Sequence, residues 1–228
     1  MEVVKFKSMS SKYEPLPVLT ALGEPILKLS PKVLSLRHSN GGSIAEFFAD
    51  GNLNYGTLIF TKRAVENINA VYRDEAIEFN SAYGGNINLP TDKSLTFIFD
   101  LETLAFGTSR VASIGTSSHN IVTLAHTATG ISITANHANT INLPIVIPLN
   151  TRFKVAVIFG QTQTKVIVNN QVVHTFETGY PTQQNTLFIL NGASLSSSPT
   201  NKHKIYGLEV YADTHHTVDD VIMYMQNM

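Results

Sequence analysis

The sequence predicts an all-β fold: an antiparallel β-sandwich of the jelly-roll kind, with an extended N-terminal arm and a short C-terminal helix. Three observations carry this expectation. Short β-branched segments recur from Val33 onward, with polar turn signals between them. No crossover helix of a dozen residues separates consecutive segments, which argues against a parallel sheet. Charged residues make up only 14% of the 228, well below the roughly 25% of an average soluble domain, so Asn, Thr and Ser must supply the polarity of many turns.

The elements follow in chain order. Pro15, Pro17, Pro25 and Pro31 interrupt the first part of the chain. Proline lacks an N–H and holds its predecessor extended. Residues 1–32 therefore read as an arm, suited to docking on a neighbouring subunit, and residues 33–228 as the sandwich. Strands are expected at Val33 to His38, Ile44 to Phe48, Thr57 to Lys62, Ala76 to Phe79, Leu95 to Leu101, Arg110 to Ile114, Ile121 to His126, Ile131 to Asn136, Phe153 to Phe159, Lys165 to Val168, Val172 to Phe176, Thr186 to Leu190 and Ile205 to Tyr211. Breaks fall at Asn40-Gly41-Gly42, Gly84-Gly85, Thr129-Gly130, Asn169-Asn170 and Asn191-Gly192. Residues 33–72 fit either early strands of the same sandwich or a small subdomain, since Ala64 to Tyr72 could be helical or extended.

Two strand segments and the C-terminus are the clearest. Lys165 to Phe176 places two β-branched runs around Asn169-Asn170, and Asn tolerates the positive φ of a tight hairpin turn. In Phe153 to Phe159 the odd positions form one apolar face and Lys154 marks the other, as in a half-buried strand. Beyond Thr217, a plausible N-cap, Asp219 and Asp220 sit in a first helical turn, and Val218, Val221, Ile222 and Met225 form a helical stripe.

Composition narrows function. Sixteen basic and seventeen acidic residues leave a net charge of −1, so no basic field exists to gather nucleic acid or anionic membrane. There is no cysteine, which rules out thiolate zinc, a cysteine nucleophile and disulfides. The start, Met1 to Lys7, lacks the apolar core of a secretory signal, and no run approaches a membrane span.

The sequence also carries a pattern of packing and turns. It runs from a Phe153 to Val157 strand, through the Ile167-Val168-Asn169-Asn170 hairpin and Leu190-Asn191-Gly192, to Tyr206-Gly207-Leu208-Glu209-Val210-Tyr211 and a closing helix from Thr217 to Met225. Ala76 to Phe79 and Leu95 to Phe99 precede it. Over residues 72–228 this resembles the concanavalin A-like lectin and glucanase superfamily, particularly the laminin-G-like modules of extracellular and phage tail proteins. Asn170 stands where that pattern usually has Gly, and Phe153 where Trp is common.

Reactive centres are weighed one by one. Asp100 and Glu102, at i and i+2, share one face of a strand, as the catalytic carboxylates of glucanases in this superfamily do. Ile98 replaces the acid that should precede them and the chain has no Trp, so no catalytic residue is assigned and the chain is expected not to be an enzyme. His215-His216 with Asp213 and Asp219 reads as a loop into the helix cap, because adjacent extended residues point apart. His119, His126 and His137 lack ligand spacing and read as surface or edge residues. No Gly-x-Ser-x-Gly elbow or phosphate loop occurs. No cofactor is expected apart from calcium, for which Glu46, Asp50, Asp74, Glu75, Asp92 and Glu177 are scattered oxygen donors. Tyr83, Tyr180 and Asn191, placed in loops, are the candidate sugar contacts.

The resemblance, the absent cysteine and secretory signal, and the low charge together imply a non-enzymatic virion component, of a phage tail, baseplate or capsid. Its partners would be other virion subunits, as a homo-oligomer or within a larger assembly, and host glycan. A cellular carbohydrate-binding module is the alternative, and a glycan hydrolase the third reading.

Overall fold

Leu95-Thr96-Phe97-Ile98-Phe99-Asp100-Leu101-Glu102-Thr103 alternates aromatic and aliphatic residues with mixed ones, a period of two that puts every other side chain on one face. Yet all nine are buried. A strand buried on both faces lies in the middle of something, and this one does. The computed structural model describes residues 22–31, 41, 43–44, 46–51, 58–62, 70–80, 83–88, 94–106, 112–115, 120–135, 140–179, 186–190, 202–212 and 215–228. Within them the chain is mostly β-strand, in antiparallel sheets arranged as a sandwich, with one short C-terminal helix.

The strands are β1 (Leu27–Leu29), β2 (Ser43–Ile44), β3 (Glu46–Gly51), β4 (Leu58–Lys62), β5 (Ala70–Arg73), β6 (Ala76–Asn80), β7 (Tyr83–Asn88), β8 (Leu95–Ala105), β9 (Ala112–Gly115), β10 (Asn120–Thr127), β11 (Gly130–Ala135), β12 (Ile141–Leu143), β13 (Arg152–Phe159), β14 (Thr164–Val168), β15 (Gln171–Phe176), β16 (Thr186–Leu190) and β17 (Lys202–Ala212). Helix α1 covers Val218–Asn227. One layer runs β2-β5-β6-β17-β8-β13-β14-β15. The other runs β3-β4-β7-β16-β9-β10-β11-β12. Strand β17 takes β6 along its first half and β1 along its second, and β1 in turn pairs with β3, joining the layers.

Phe97, Phe99, Leu101, Phe153, Val155, Val157 and Phe159 of the first layer meet Leu124, Ile131, Ile133 and Leu143 of the second in one core. Phe97 and Phe159 pack edge to face, ring centres 5.8 Å apart. The opposite face of the first layer, Ile98, Ala156, Ile158, Ile167 and Tyr211, is covered by Val221, Tyr224 and Met225 of α1 together with Leu22. This second cover explains why β13, expected to be half-buried, is buried on both faces from Val155 onward.

Local chemistry fixes the ends of these elements. Asn169 and Asn170 take φ of 45° and 68° in the β14–β15 turn, the left-handed pair that matches hairpin twist. Thr217 caps α1 through a capping box: its Oγ1 accepts from the Asp220 N–H at 3.1 Å, and its own N–H donates to Asp220 Oδ2 at 3.1 Å. Among the described residues no helix is long and apolar enough to cross a membrane.

Several expectations need revision. Gly84-Gly85 does not break the chain: both lie inside β7, in the ladder to β16. Ala70 to Arg73 is extended, pairing with β6 as β5. Of the proposed arm, residues 22–31 are described, and they belong to the sandwich: Leu22, Ile26, Leu27 and Leu29 are buried and β1 pairs with β17. Pro25 and Pro31 bracket this short strand without detaching it. Residues 1–21 and the strand expected at Val33 to His38 lie outside the described residues.

Candidate functional site

Alternation on β8 places Asp100 and Glu102 on the face that α1 partly covers, and the same alternation on β13 and β17 brings Arg152, Lys154 and Tyr206 there. The charged residues of this face have paired with one another. Arg152 donates to Asp100 from both Nε, at 2.7 Å, and Nη2, at 2.5 Å, the planar fork that guanidinium and carboxylate share. The Asp100 side chain is 1% exposed and that of Arg152 49%. Hydrogen bonding to Asp100 pushes the guanidinium pKa up. The Arg152 guanidinium also lies 4.2 Å from the centre of the Tyr206 ring, and the Tyr206 hydroxyl donates to Glu102 at 2.5 Å. Burial, reinforced by Glu102, raises the Tyr206 phenol well above its ordinary range, so it stays a donor at neutral pH.

Lys154, beside them, donates from Nζ to the carbonyls of Met225 (2.5 Å) and Met228 (3.0 Å), capping the negative end of α1. Its own N–H donates to Asn169 Oδ1 at 3.0 Å, fastening the hairpin turn to β13. Between that turn and the end of α1 lies an open depression of about 450 Å³, bordered by Arg152, Lys154, Asn169, Asn170, Met225 and Gln226. Two polar groups on its border are under-used. Asn170 Oδ1 is shielded from solvent and has no hydrogen-bond partner. Nothing among the described residues bonds Arg152 Nη1.

The sequence-derived candidates fall differently. Tyr83 opens strand β7, opposite Lys62 of β4, and is not in a loop; Tyr180 and Asn191 lie outside the described residues. Asp100 and Glu102 do share a face, each held by a partner. His216 is drawn inward, with Nδ1 3.0 Å from Thr96 Oγ1 and Nε2 2.9 Å from the Leu22 carbonyl, so it does not converge with His215. His126, read from the sequence as surface or edge, is 2% exposed. Among the described residues no group of three or more His, Asp or Glu side chains could hold a metal ion. Sequence reasoning missed Arg152, Tyr206 and Gln226, although the alternation that put Phe153 inward also set Arg152 and Lys154 on one outward face.

No protein family and no curated protein matches the chain by sequence. Solved structures match in fold. Trypanosoma rangeli sialidase is similar at 14% identity and a TM-score of 0.63, over 92% of this chain and 34% of the sialidase. Domain 4 of AbnA, a GH43 extracellular arabinanase from Geobacillus stearothermophilus, in complex with arabinotriose, is similar at 14% identity and a TM-score of 0.61, over 87% of this chain and 97% of that domain. The chain thus spans about a third of the length of the sialidase chains it matches. These likenesses define the class by fold alone, as a β-sandwich of jelly-roll type.

They also correct an expectation. The chain is not supported as a virion structural component: the similar folds come from a sialidase and an arabinanase domain, and nothing among the comparisons is a virion protein. The absence of cysteine and low charge, which had favoured a virion part, suit any sandwich stabilised by packing alone. Against the expectation of no catalysis, the same enzymes weigh only through shared fold.

Proposed function

We propose that this chain is a carbohydrate-binding β-sandwich module, of the laminin-G-like type its motif order resembles, which holds a neutral saccharide without cleaving it. The observation that carries the reading is the depression beside the Asn169-Asn170 turn, which is lined both by Asn170, whose Oδ1 lacks a hydrogen-bond partner, and by Arg152. Leaving a buried acceptor unsatisfied costs about 1–3 kcal/mol, and a sugar hydroxyl donating to Asn170 Oδ1 offsets that cost. Arg152 already faces Asp100, so its charge is balanced and a hydroxyl suits it better than a second carboxylate. The likeness to an arabinanase domain solved with arabinotriose, over nearly the whole of both, supports a saccharide as ligand. Cleavage is disfavoured because Asp100 and Glu102 are locked by Arg152 and Tyr206 and do not flank an open cleft.

Asn170→Gly tests the site cleanly, since glycine accepts φ of 68° and keeps the turn. Calorimetric titration with arabino-oligosaccharides and other neutral oligosaccharides should show binding by the parent. The variant should bind at least ~10-fold more weakly, about 1.4 kcal/mol, with a melting temperature no lower than the parent's. Absence of binding to any neutral glycan, or equal binding by the variant, overturns the proposal. If Tyr83→Ala or Tyr180→Ala abolishes binding while Asn170→Gly does not, the contact lies with the sequence-derived residues instead.

A further inference from the structure

The walls of the depression come from separate parts of the chain: the Asn169-Asn170 turn between β14 and β15 on one side, the last turn of α1 on the other. Lys154 of β13 bonds to both. Its peptide groups take the turn. The Lys154 N–H donates to Asn169 Oδ1 at 3.0 Å, and the Lys154 carbonyl accepts from the Asn169 N–H at 3.0 Å. These bonds hold Asn169 at its φ of 45°, and Asn170 follows at 68°. The ammonium takes the helix, donating to the main-chain oxygens of Met225 at 2.5 Å and Met228 at 3.0 Å. Gln226, which also lines the depression, lies between those acceptors in sequence.

We propose, on the reading of this depression as a saccharide site, that Lys154 is its positioning residue: through its main chain and its ammonium it holds Asn170 and Gln226 at one spacing before the sugar arrives. Strand alternation puts it there. Ala156, two positions on, is buried in one cluster with Val221 and Met225 of α1, so Lys154 faces the helix side of β13. Its aliphatic stem can lie along apolar surface while the charged head reaches outward. The oxygens it meets are the unpaired acceptors of a helix end, where the macrodipole favours a cation. Walls fixed in advance strengthen binding, because less ordering remains to be done when the ligand docks. The two walls depend on Lys154 differently. Asn169 is held by peptide groups, which any residue at 154 except proline supplies, whereas the helix wall depends on the ammonium alone.

Lys154→Met keeps an apolar stem and removes the charge, and Lys154→Arg restores a cationic donor. In amide exchange without ligand, the Gln226 and Asn227 N–H groups should exchange at least ~10-fold faster in Lys154→Met than in the parent, while the Asn169 N–H keeps its rate. In calorimetric titration with arabino-oligosaccharides, Lys154→Met should bind at least ~10-fold more weakly, and Lys154→Arg within about threefold of the parent. Unchanged exchange at Gln226 and Asn227 overturns the proposal, as does an equal quickening at Asn169, which marks general loosening of the fold. Full affinity in Lys154→Met, or an equal loss in both variants, overturns it too. Should Lys154→Met not fold, the parent decides: its nitrogen-15 spectrum should show the Lys154 ammonium exchanging with water at least ~10-fold more slowly than that of Lys202, whose side chain is 52% exposed, and an equal rate refutes the proposal. The two readings fail separately. No binding of any neutral oligosaccharide by the parent ends the saccharide reading, and the exchange rates still judge whether Lys154 fixes the walls. Binding that Asn170→Gly weakens and Lys154→Met does not leaves the saccharide reading standing and ends the positioning role.

Discussion

Glu209 offers the sharpest stability test. It sits on β17 beneath α1, 2% exposed, and its Oε2 accepts from the hydroxyls of Tyr211 and Tyr224, both at 2.5 Å, while Lys28 reaches Oε1 at 2.6 Å. Burial pushes both phenols well up from their ordinary range, with Glu209 adding to it, so they remain donors throughout the useful pH range. Tyr224→Phe removes one hydroxyl and keeps the ring, whose edge-to-face contact with Tyr211 has centres 6.2 Å apart. A hydrogen bond to a charged acceptor contributes about 1.5–3 kcal/mol. At the roughly 2–4 °C per kcal/mol typical of a chain this size, the melting temperature should fall by about 3–12 °C. The assay is reversible unfolding followed by circular dichroism at pH 7.5. Because both phenols share one oxygen, the Tyr211→Phe and Tyr224→Phe cycle should show a coupling above ~0.5 kcal/mol. A loss under 0.5 kcal/mol with strict additivity would mean that Glu209 is held by Lys28 and solvent, and the account of how α1 is fastened would fail.

Two further substitutions probe the packing. Ile98→Ala should cost about 2–5 kcal/mol, measured by urea unfolding, because α1 covers a side chain that an ordinary sandwich strand would turn to water; a cost under 1 kcal/mol would show the helix undocked. Gly179→Ala puts a Cβ 1.9 Å from the Gln161 carbonyl oxygen, so the backbone must move, and thermal melting should register about 1–3 kcal/mol or more of destabilisation. An unchanged melting temperature would place residue 179 elsewhere.

Much of this architecture is written locally. The alternation at Phe153 to Phe159, the Asn-Asn turn and the Thr217 cap each follow from a few adjacent residues, and each is found in place. What escaped the sequence depends on distant partners. Nothing local in Leu27 to Leu29 says that β17 will pair with it, and Gly84-Gly85 looks like a break until the ladder to β16 is known. His126 has the polarity of a surface residue, and only Thr103 and the Ile147 carbonyl, each more than twenty positions away, make its burial tolerable. The outward patch escaped for the same reason: Arg152 and Asp100 are 52 positions apart, and the depression beside them exists only once α1 folds back over β13.

Strand β17 is flanked by β8, some hundred residues earlier, and by β1, nearly two hundred earlier. The middle of one layer therefore stays missing until β17 emerges from the ribosome, and Leu27 to Leu29 must wait for a segment synthesised nearly two hundred residues after them. Such long loop closures slow folding and leave ladder edges open to other chains in the interval. Yield from expression should depend on temperature and on holding chaperones more than the final fold's own robustness suggests.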